Sequence, residues 1–174
     1  VVERPYSVVK ELVENSIDSG AKNVTIEIEH GGTTFIRVTD DGSGIEKSEL
    51  KKALLPHATS KISKASDLDN IVTLGFRGEA LASIASVSKI TIISKPQNQE
   101  NGASIHAEGG VIEDVTDCAA ANGTVITVNN LFFNTPAREK FLKTPKGEES
   151  DISAYIARFI LGNLDVAFKF VADG

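Results

Sequence analysis

The sequence has no methionine, one cysteine, no long apolar run and a shortage of positive charge. Each shortage closes off a class. Cys118 has no second cysteine to pair with and no neighbouring ligands at metal-binding spacing. Internal disulfides and a cysteine-held zinc are thereby excluded, and the thiol reads as inert in a reducing compartment. Without roughly 20 consecutive apolar residues, no stretch is a candidate for a membrane-crossing helix. Lys and Arg number 18 against 24 Asp and Glu, a formal charge of −6. That balance gives no general electrostatic pull toward DNA, so a nucleic-acid role would need a local basic patch or another part of the protein. No Gly-x-x-x-x-Gly-Lys-Ser/Thr occurs, which excludes a Walker-type phosphate loop. Repeats and low-complexity tracts are absent as well. The opening Val1-Val2-Glu3-Arg4-Pro5 starts in mid-pattern, and the chain is expected to be a piece of a longer protein.

What is present suffices for one domain: 174 residues, 41% of them hydrophobic. The most informative stretch is 5–20, which reads as one helix. Pro5 suits a first turn, where its missing N–H has no partner to lose, and Gly20 suits the left-handed residue past the end. At about 100° per residue, Val8, Val9, Leu12, Val13 and Ile17 form a core-facing stripe. Glu11, Asn15 and Asp18 gather on the other side at spacings that make them neighbours. Taken alone, such a cluster also suits a solvated face. Its edge position beside Val8, however, predicts that Glu11 and Asn15 are half-shielded. Two carboxylates and an amide offer oxygen ligands and a proton acceptor, a set that suits Mg²⁺ arriving with substrate phosphates.

Downstream, Asn23–Glu29 alternates as a half-buried strand, and Gly31-Gly32 turns the chain into a returning strand over 35–39. A short helix follows over Ser48–Leu55, ended by Pro56; 57–61 reads as loop, and 67–74 as partly helical. A small-residue helix follows Gly75-Phe76-Arg77-Gly78-Glu79-Ala80-Leu81. Strands are expected at 89–94, 103–107, 111–116 and 123–128. Residues 131–138 read as a loop leading to a short helix ending at Lys143, 148–164 as an amphipathic helix, and 165–171 as a last strand. This order predicts an α+β fold: a two-layer sandwich with helices on one face of a mixed, mostly antiparallel sheet.

Three further segments carry chemistry. Asp40-Asp41-Gly42-Ser43-Gly44 closes a strand; its glycines permit close ligand approach, and an Asp there can accept from an exocyclic amine such as adenine N6. Asp-Gly turns are common, so this signal is weak by itself. Gly75–Leu81 is a glycine-flanked loop feeding a helix start, where backbone N–H groups can hold phosphate and Arg77 adds charge; a plain helix entry reads the same way. Thr59-Ser60-Lys61 offers two hydroxyls and an ammonium, and alone is an ordinary surface triplet. His57 has no second histidine or cysteine near it and reads as a structural or surface histidine more than as a metal ligand.

In combination and in this order, Glu11-Leu12-Val13-Glu14-Asn15, Asp40-x-Gly42-x-Gly44, Gly75–Leu81 and Gly123-Thr124 resemble the four nucleotide-site motifs of the GHKL ATPases. That superfamily includes gyrase, heat-shock chaperone, histidine kinase and MutL ATPase domains. The stretches Glu3-Arg4-Pro5 through Gly20 and Leu131-Phe132-Phe133-Asn134-Thr135-Pro136-Ala137-Arg138 look like the MutL family of DNA mismatch repair proteins, over essentially the whole chain. The resemblance implies a Bergerat-type fold and an N-terminal ATPase domain spanning 1–174, truncated at both ends. It implies ATP and Mg²⁺ as cofactors. Glu11 would be the general base and Asn15 the Mg²⁺ ligand; Asp40 would read the adenine amine. Gly42 and Gly44 would line the base and ribose side. Thr59, Ser60 and Lys61 would face phosphates, while Gly75, Arg77, Gly78, Glu79, Ala80 and Leu81 would form the lid. Thr124 would lie behind the adenine and support Asp40. Asp41 stands where many relatives have Asn, and its charge is expected to weaken nucleotide affinity slightly. Implied partners are a second copy on ATP binding, the mismatch-recognition protein MutS, a downstream nuclease or helicase, and DNA mainly through other regions. No membrane is implied, and the location would be cytoplasmic. With the N-terminal arm and a lysine-donating second domain absent, 1–174 alone is expected to bind nucleotide weakly and turn over little. A gyrase-type ATPase, or a non-hydrolysing dimerisation scaffold, is the alternative.

Overall fold

The computed structural model describes residues 2–56 and 76–174, with the side chains of 76–78 outside the description. The expected helix is α1, Pro5–Asp18, entered from an extended Arg4. It ends where the Ser19 N–H bonds the Asn15 carbonyl (3.1 Å) and Gly20 takes φ +79°. Strand β1 (Asn23–Glu29) pairs antiparallel with β2 (Phe35–Asp40) across a short 3₁₀ turn at His30–Gly32. Helices α2 (Lys47–Leu54) and α3 (Phe76–Ser86) come next. Then follow β3 (Lys89–Lys95), β4 (Gly102–Glu108), β5 (Val111–Ile112), β6 (Thr116–Cys118) and β7 (Gly123–Asn129). Helices α4 (Pro136–Glu139) and α5 (Pro145–Leu161) lead to β8 (Ala167–Ala172).

The strands form one sheet in the order β5-β4-β3-β7-β2-β1-β8, with β6 on the far end of β4. Every pairing is antiparallel except β1 with β8. The sheet is therefore mixed and mostly antiparallel, as expected. Strict alternation explains why it is one-sided. Val24, Ile26, Ile28, Ile36, Val38, Ile90, Ile92, Ile105, Ile126 and Val128 all point to one face and are buried. Thr25, Glu27, Arg37, Thr91 and Thr127 occupy the intervening positions and are only half-buried. Helix α1 lies over β2, flanked by α3 and α5, while α2 and α3 cover β3 and β4. Burial of one such Ile or Val is worth about 1.5–3 kcal/mol, so the stripe of α1 is held by the sheet and not by helix propensity.

Several boundaries depart from expectation. The strand expected over 111–116 is two short strands, because Val115 leaves the ladder to pack against the core near α2. Cys118 then pairs opposite Gly102, at the other end of β4. The segment 131–138, expected as a loop, already contains the start of α4; its Leu131 and Phe132 are buried, Phe132 at φ +67°. Helix α5 begins at Pro145, three residues earlier than expected, because Thr144 caps it through the Gly147 N–H (3.1 Å). Residues 67–74 and the 57–61 segment lie outside the described residues.

One charged cluster anchors the start of the chain. Glu148 of α5 is fully buried and accepts from Arg4 Nη2 at 3.0 Å and from the Lys143 backbone N–H at 2.7 Å. Arg4 also bonds Asp151, which Lys143 Nζ reaches at 2.9 Å. Arg138 Nη1 donates to the Val2 carbonyl (2.8 Å). Removing the buried partner leaves the Lys143 N–H without its acceptor and Arg4 paired with Asp151 alone. Glu148→Ala is therefore expected to lower urea-unfolding stability by about 3 kcal/mol, whereas Asp151→Ala, at the exposed end, costs far less. Equal losses for the two variants would contradict this account.

Candidate functional site

Beside α1, between α2 and the ends of β2 and β7, lies a cleft of about 530 Å³. Its floor is apolar: Leu12, Val38, Leu81 and Ile126. Its polar atoms come from few places, chiefly Asn15 and Ser16 on α1, Asp40 at the end of β2, and Thr124 at the start of β7. Glu49, Lys52 and Ala53 of α2 form the opposite wall. An apolar pocket with a few convergent polar groups is the form a small-molecule site takes.

Asp40 is the centre of this arrangement. Ser16 Oγ donates to its Oδ2 at 2.7 Å, and the Gly42 N–H donates to its Oδ1 at 2.9 Å. Burial raises the Asp40 pKa above the ordinary carboxylate value; the Ser16 hydroxyl and the Gly42 and Thr124 N–H groups work against that rise. Two oxygens carry about four lone-pair sites, so capacity remains for a donor from the cleft. Asp41 contributes the smallest push on Asp40. Its own carboxylate is turned to the α1–β1 connection, accepting from the Lys22 N–H (2.8 Å), the Asn23 N–H (2.9 Å) and Asn23 Nδ2 (2.8 Å). These bonds, led by the Asn23 side chain, lower its pKa.

The glycines have a steric reason. A Cβ on Gly123, at φ +113°, would lie 2.0 Å from the Asp40 carbonyl oxygen. At Gly42 it would meet Ser19 Oγ at 1.9 Å, and at Gly44, φ +77°, the Lys95 carbonyl at 2.6 Å. Gly123 lets β7 close on Asp40, while Gly42 and Gly44 let the turn after Asp40 close on Ser19 and on the end of β3. Behind Thr124, Ser94 Oγ lies 2.8 Å from Thr124 Oγ1 and accepts the Ile45 N–H at 2.7 Å.

Of the residues singled out from sequence, Asn15, Asp40, Gly44, Leu81 and Thr124 share the cleft wall, and Gly42 is bonded to Asp40. Glu11 is half-buried one turn before Asn15 and off the cleft lining, as are Glu79 and Ala80 in the first turn of α3. Thr59, Ser60, Lys61 and Gly75 lie outside the described residues; Arg77 and Gly78 fall within α3, their side chains outside the description. Two serines were missed. Ser16 sits mid-stripe, about 80° round from Val8, and Ser94 falls at an inward position after Ile90 and Ile92. A polar residue at a core position was the available signal in both.

Among the described residues, no group of three or more His, Cys, Asp or Glu could hold a metal ion, and no helix is long and apolar enough to cross a membrane. Residues 3–129 match the family model described as histidine kinase-, DNA gyrase B- and HSP90-like ATPase. The DNA mismatch repair protein MutL of Clostridium acetobutylicum is 55% identical over 174 residues, all of this chain and 28% of that protein. MutL of Clostridium beijerinckii is 55% identical over 169 residues, 97% of this chain and 26% of that protein. The chain thus spans about a quarter of the length of these curated relatives. Among solved structures, the Aquifex aeolicus MutL ATPase domain complexed with ADP superposes with TM-score 0.79 at 35% identity, over 100% of this chain and 62% of that one. Matched along its sequence and through its fold, the chain belongs to the histidine kinase-, DNA gyrase B- and HSP90-like ATPase family.

Proposed function

We propose that this chain is the N-terminal ATP-binding and hydrolysing domain of a MutL-type DNA mismatch repair protein. The observation that carries the proposal is the convergence of Asn15, Asp40 and Thr124 on one apolar cleft. Asp40, with acceptor capacity left beyond its bonds to Ser16, Gly42 and Thr124, suits the 6-amino group of adenine; guanine would set a carbonyl oxygen against a carboxylate. Gly42 and Gly44 keep the backbone close on the base and ribose side.

From Asp40, beside Ser16, a triphosphate runs along α1 toward its N-terminus. Glu11 lies five residues before Ser16, about 7.5 Å along the axis, which puts it at the phosphate end. There it acts as general base, taking a proton from the water that attacks the γ-phosphate. Asn15, between the two, offers one amide oxygen. A single neutral ligand fits Mg²⁺, which keeps several waters and takes its remaining oxygens from phosphates. When bound, Mg²⁺ supplies charge neutralisation on the phosphate oxygens. Thr59, Ser60 and Lys61 are assigned to the phosphates, and Gly75, Arg77, Gly78, Glu79, Ala80 and Leu81 to a lid whose backbone donors close over them.

In the full-length protein, ATP binding orders the lid and brings two copies together, and hydrolysis releases them. That switch links a mismatch-recognition protein of the MutS type to a downstream nuclease or helicase, in the cytoplasm, with DNA held mainly by other regions. The 1–174 chain alone binds nucleotide weakly and turns over little.

Two measurements test the site. Glu11→Ala in the full-length protein is expected to cut hydrolysis by at least 100-fold with ATP affinity near normal, since a base acts in the transition state. Equal loss of binding and turnover would count against the role. The raised pKa of Asp40 means the fold favours its protonated form, so its contribution to stability is fullest below the unfolded value of about 3.9 and is lost as pH rises through the folded value. An amine donor favours the carboxylate instead. A carbon NMR titration of the Asp40 carboxyl should therefore show a midpoint above the ordinary value alone and a lower one with ATP. A midpoint unmoved by ATP would exclude Asp40 as the base-reading group.

A further inference from the structure

The cleft is poor in positive charge. Among its described lining residues, Asp18, Asp40 and Glu49 are acids and Lys52 alone is a cation. Lys52 owes its place to the way α2 sets out. Ser94 Oγ, 2.8 Å from Thr124 Oγ1, accepts the Ile45 N–H at 2.7 Å. Thr124 pairs with Asp40 across β2 and β7, so α2 starts from the Asp40 end of the cleft. Leu50 and Leu54 are buried, which turns Glu49, Lys52 and Ala53 to the cleft at helical spacing. Lys52 is five residues past the first of α2, about 7.5 Å along the axis. The helix packs on α3, whose Leu81 lines the same cleft. Lys52 therefore stands away from the Asp40 end, on the side of α3.

We infer that Lys52 binds the phosphates of the nucleotide that lie nearer the sugar than the γ-phosphate. The inference rests on the cleft being an adenine-nucleotide site. With the base at Asp40 and the γ-phosphate at Glu11, the sugar and the first phosphates cross the middle of the cleft, opposite the wall that carries Lys52. Lys52 Nζ lies 3.5 Å from Glu49 Oε1, and both side chains are more than half exposed. A pair this long and this wet holds the ammonium loosely. A phosphate carries more charge than a carboxylate and takes a lysine as a point charge from many directions. Ala53 beside it has only a methyl, so the lysine stem is free to lie along the apolar wall with its charged head in water. As a polyphosphate enters, Lys52 offsets the like charge of Asp18 and Glu49.

The test measures the affinities of adenosine, ADP and ATP for the full-length protein, by competition against a fluorescent ATP analogue whose own affinity is titrated for each variant. Lys52→Ala is expected to weaken ADP and ATP each by about fivefold, the effect of one well-formed exposed ion pair, and adenosine by less than about twofold. Lys52 is exposed and alanine is the better helix former, so the variant folds. All ligands are read on the same variant, so any general loosening of the wall cancels in their ratios. Lys52→Arg keeps the charge and should stay within about twofold of the unsubstituted protein for every ligand. Unchanged affinities in Lys52→Ala, or equal weakening of adenosine, ADP and ATP, would make Lys52 a wall residue only and overturn the inference. A loss confined to ATP would move the contact to the γ-phosphate, and a loss in Lys52→Arg as large as in Lys52→Ala would remove charge as the cause; either would overturn it too. An unsubstituted protein that binds ATP no better than GTP would instead strike the adenine reading itself.

Discussion

The hydrogen bond from Ser16 to Asp40 joins the two halves of the site. One partner belongs to the helix that carries Glu11 and Asn15, the other to the strand end that closes the cleft. The surrounding structure serves to bring these two together at 2.7 Å. Leu12 and Val13 bind the helix to the sheet, Asp41 fastens the strand end to the α1–β1 turn, and three glycines remove the side chains that would hold the backbones apart. A carboxylate this shielded is costly to keep ionised without donors, and each donor it has comes from a different segment.

Much of this was legible in the sequence because it follows from periodicity. The stripe Val8, Val9, Leu12, Val13 and the alternation through β1, β2, β3 and β7 gave the sheet, its covered face and the helix over it. The edge placement of Glu11 and Asn15 gave their half-buried state. What periodicity hid was the polar minority at core positions. Ser16 and Ser94 break apolar patterns, and Glu148 is a charge inside an amphipathic helix; each reads as noise until its partner, far away in sequence, is known. The split of 111–116 into two strands was hidden for a related reason, since it depends on where Val115 finds apolar contact and not on any local turn signal.

Asp41 shows how sequence and structure can give one residue opposite meanings. As the neighbour of Asp40, its charge looked like a liability for a nucleotide site. In the fold its carboxylate is spent on three N–H donors of the preceding connection, and it has become a strut. Its residual push on Asp40 is the least of the influences there.

The parallel pairing of β1 with β8 sets Asn23 beside Ala167, so among the described residues the sheet's second-to-last position is occupied early and its border only much later in sequence. During synthesis the β1 flank of the first hairpin stays bare until β8 has left the ribosome. Non-local pairing of this kind slows folding and leaves an unpaired edge open to wrong partners meanwhile. The vulnerable period for this domain is therefore its birth.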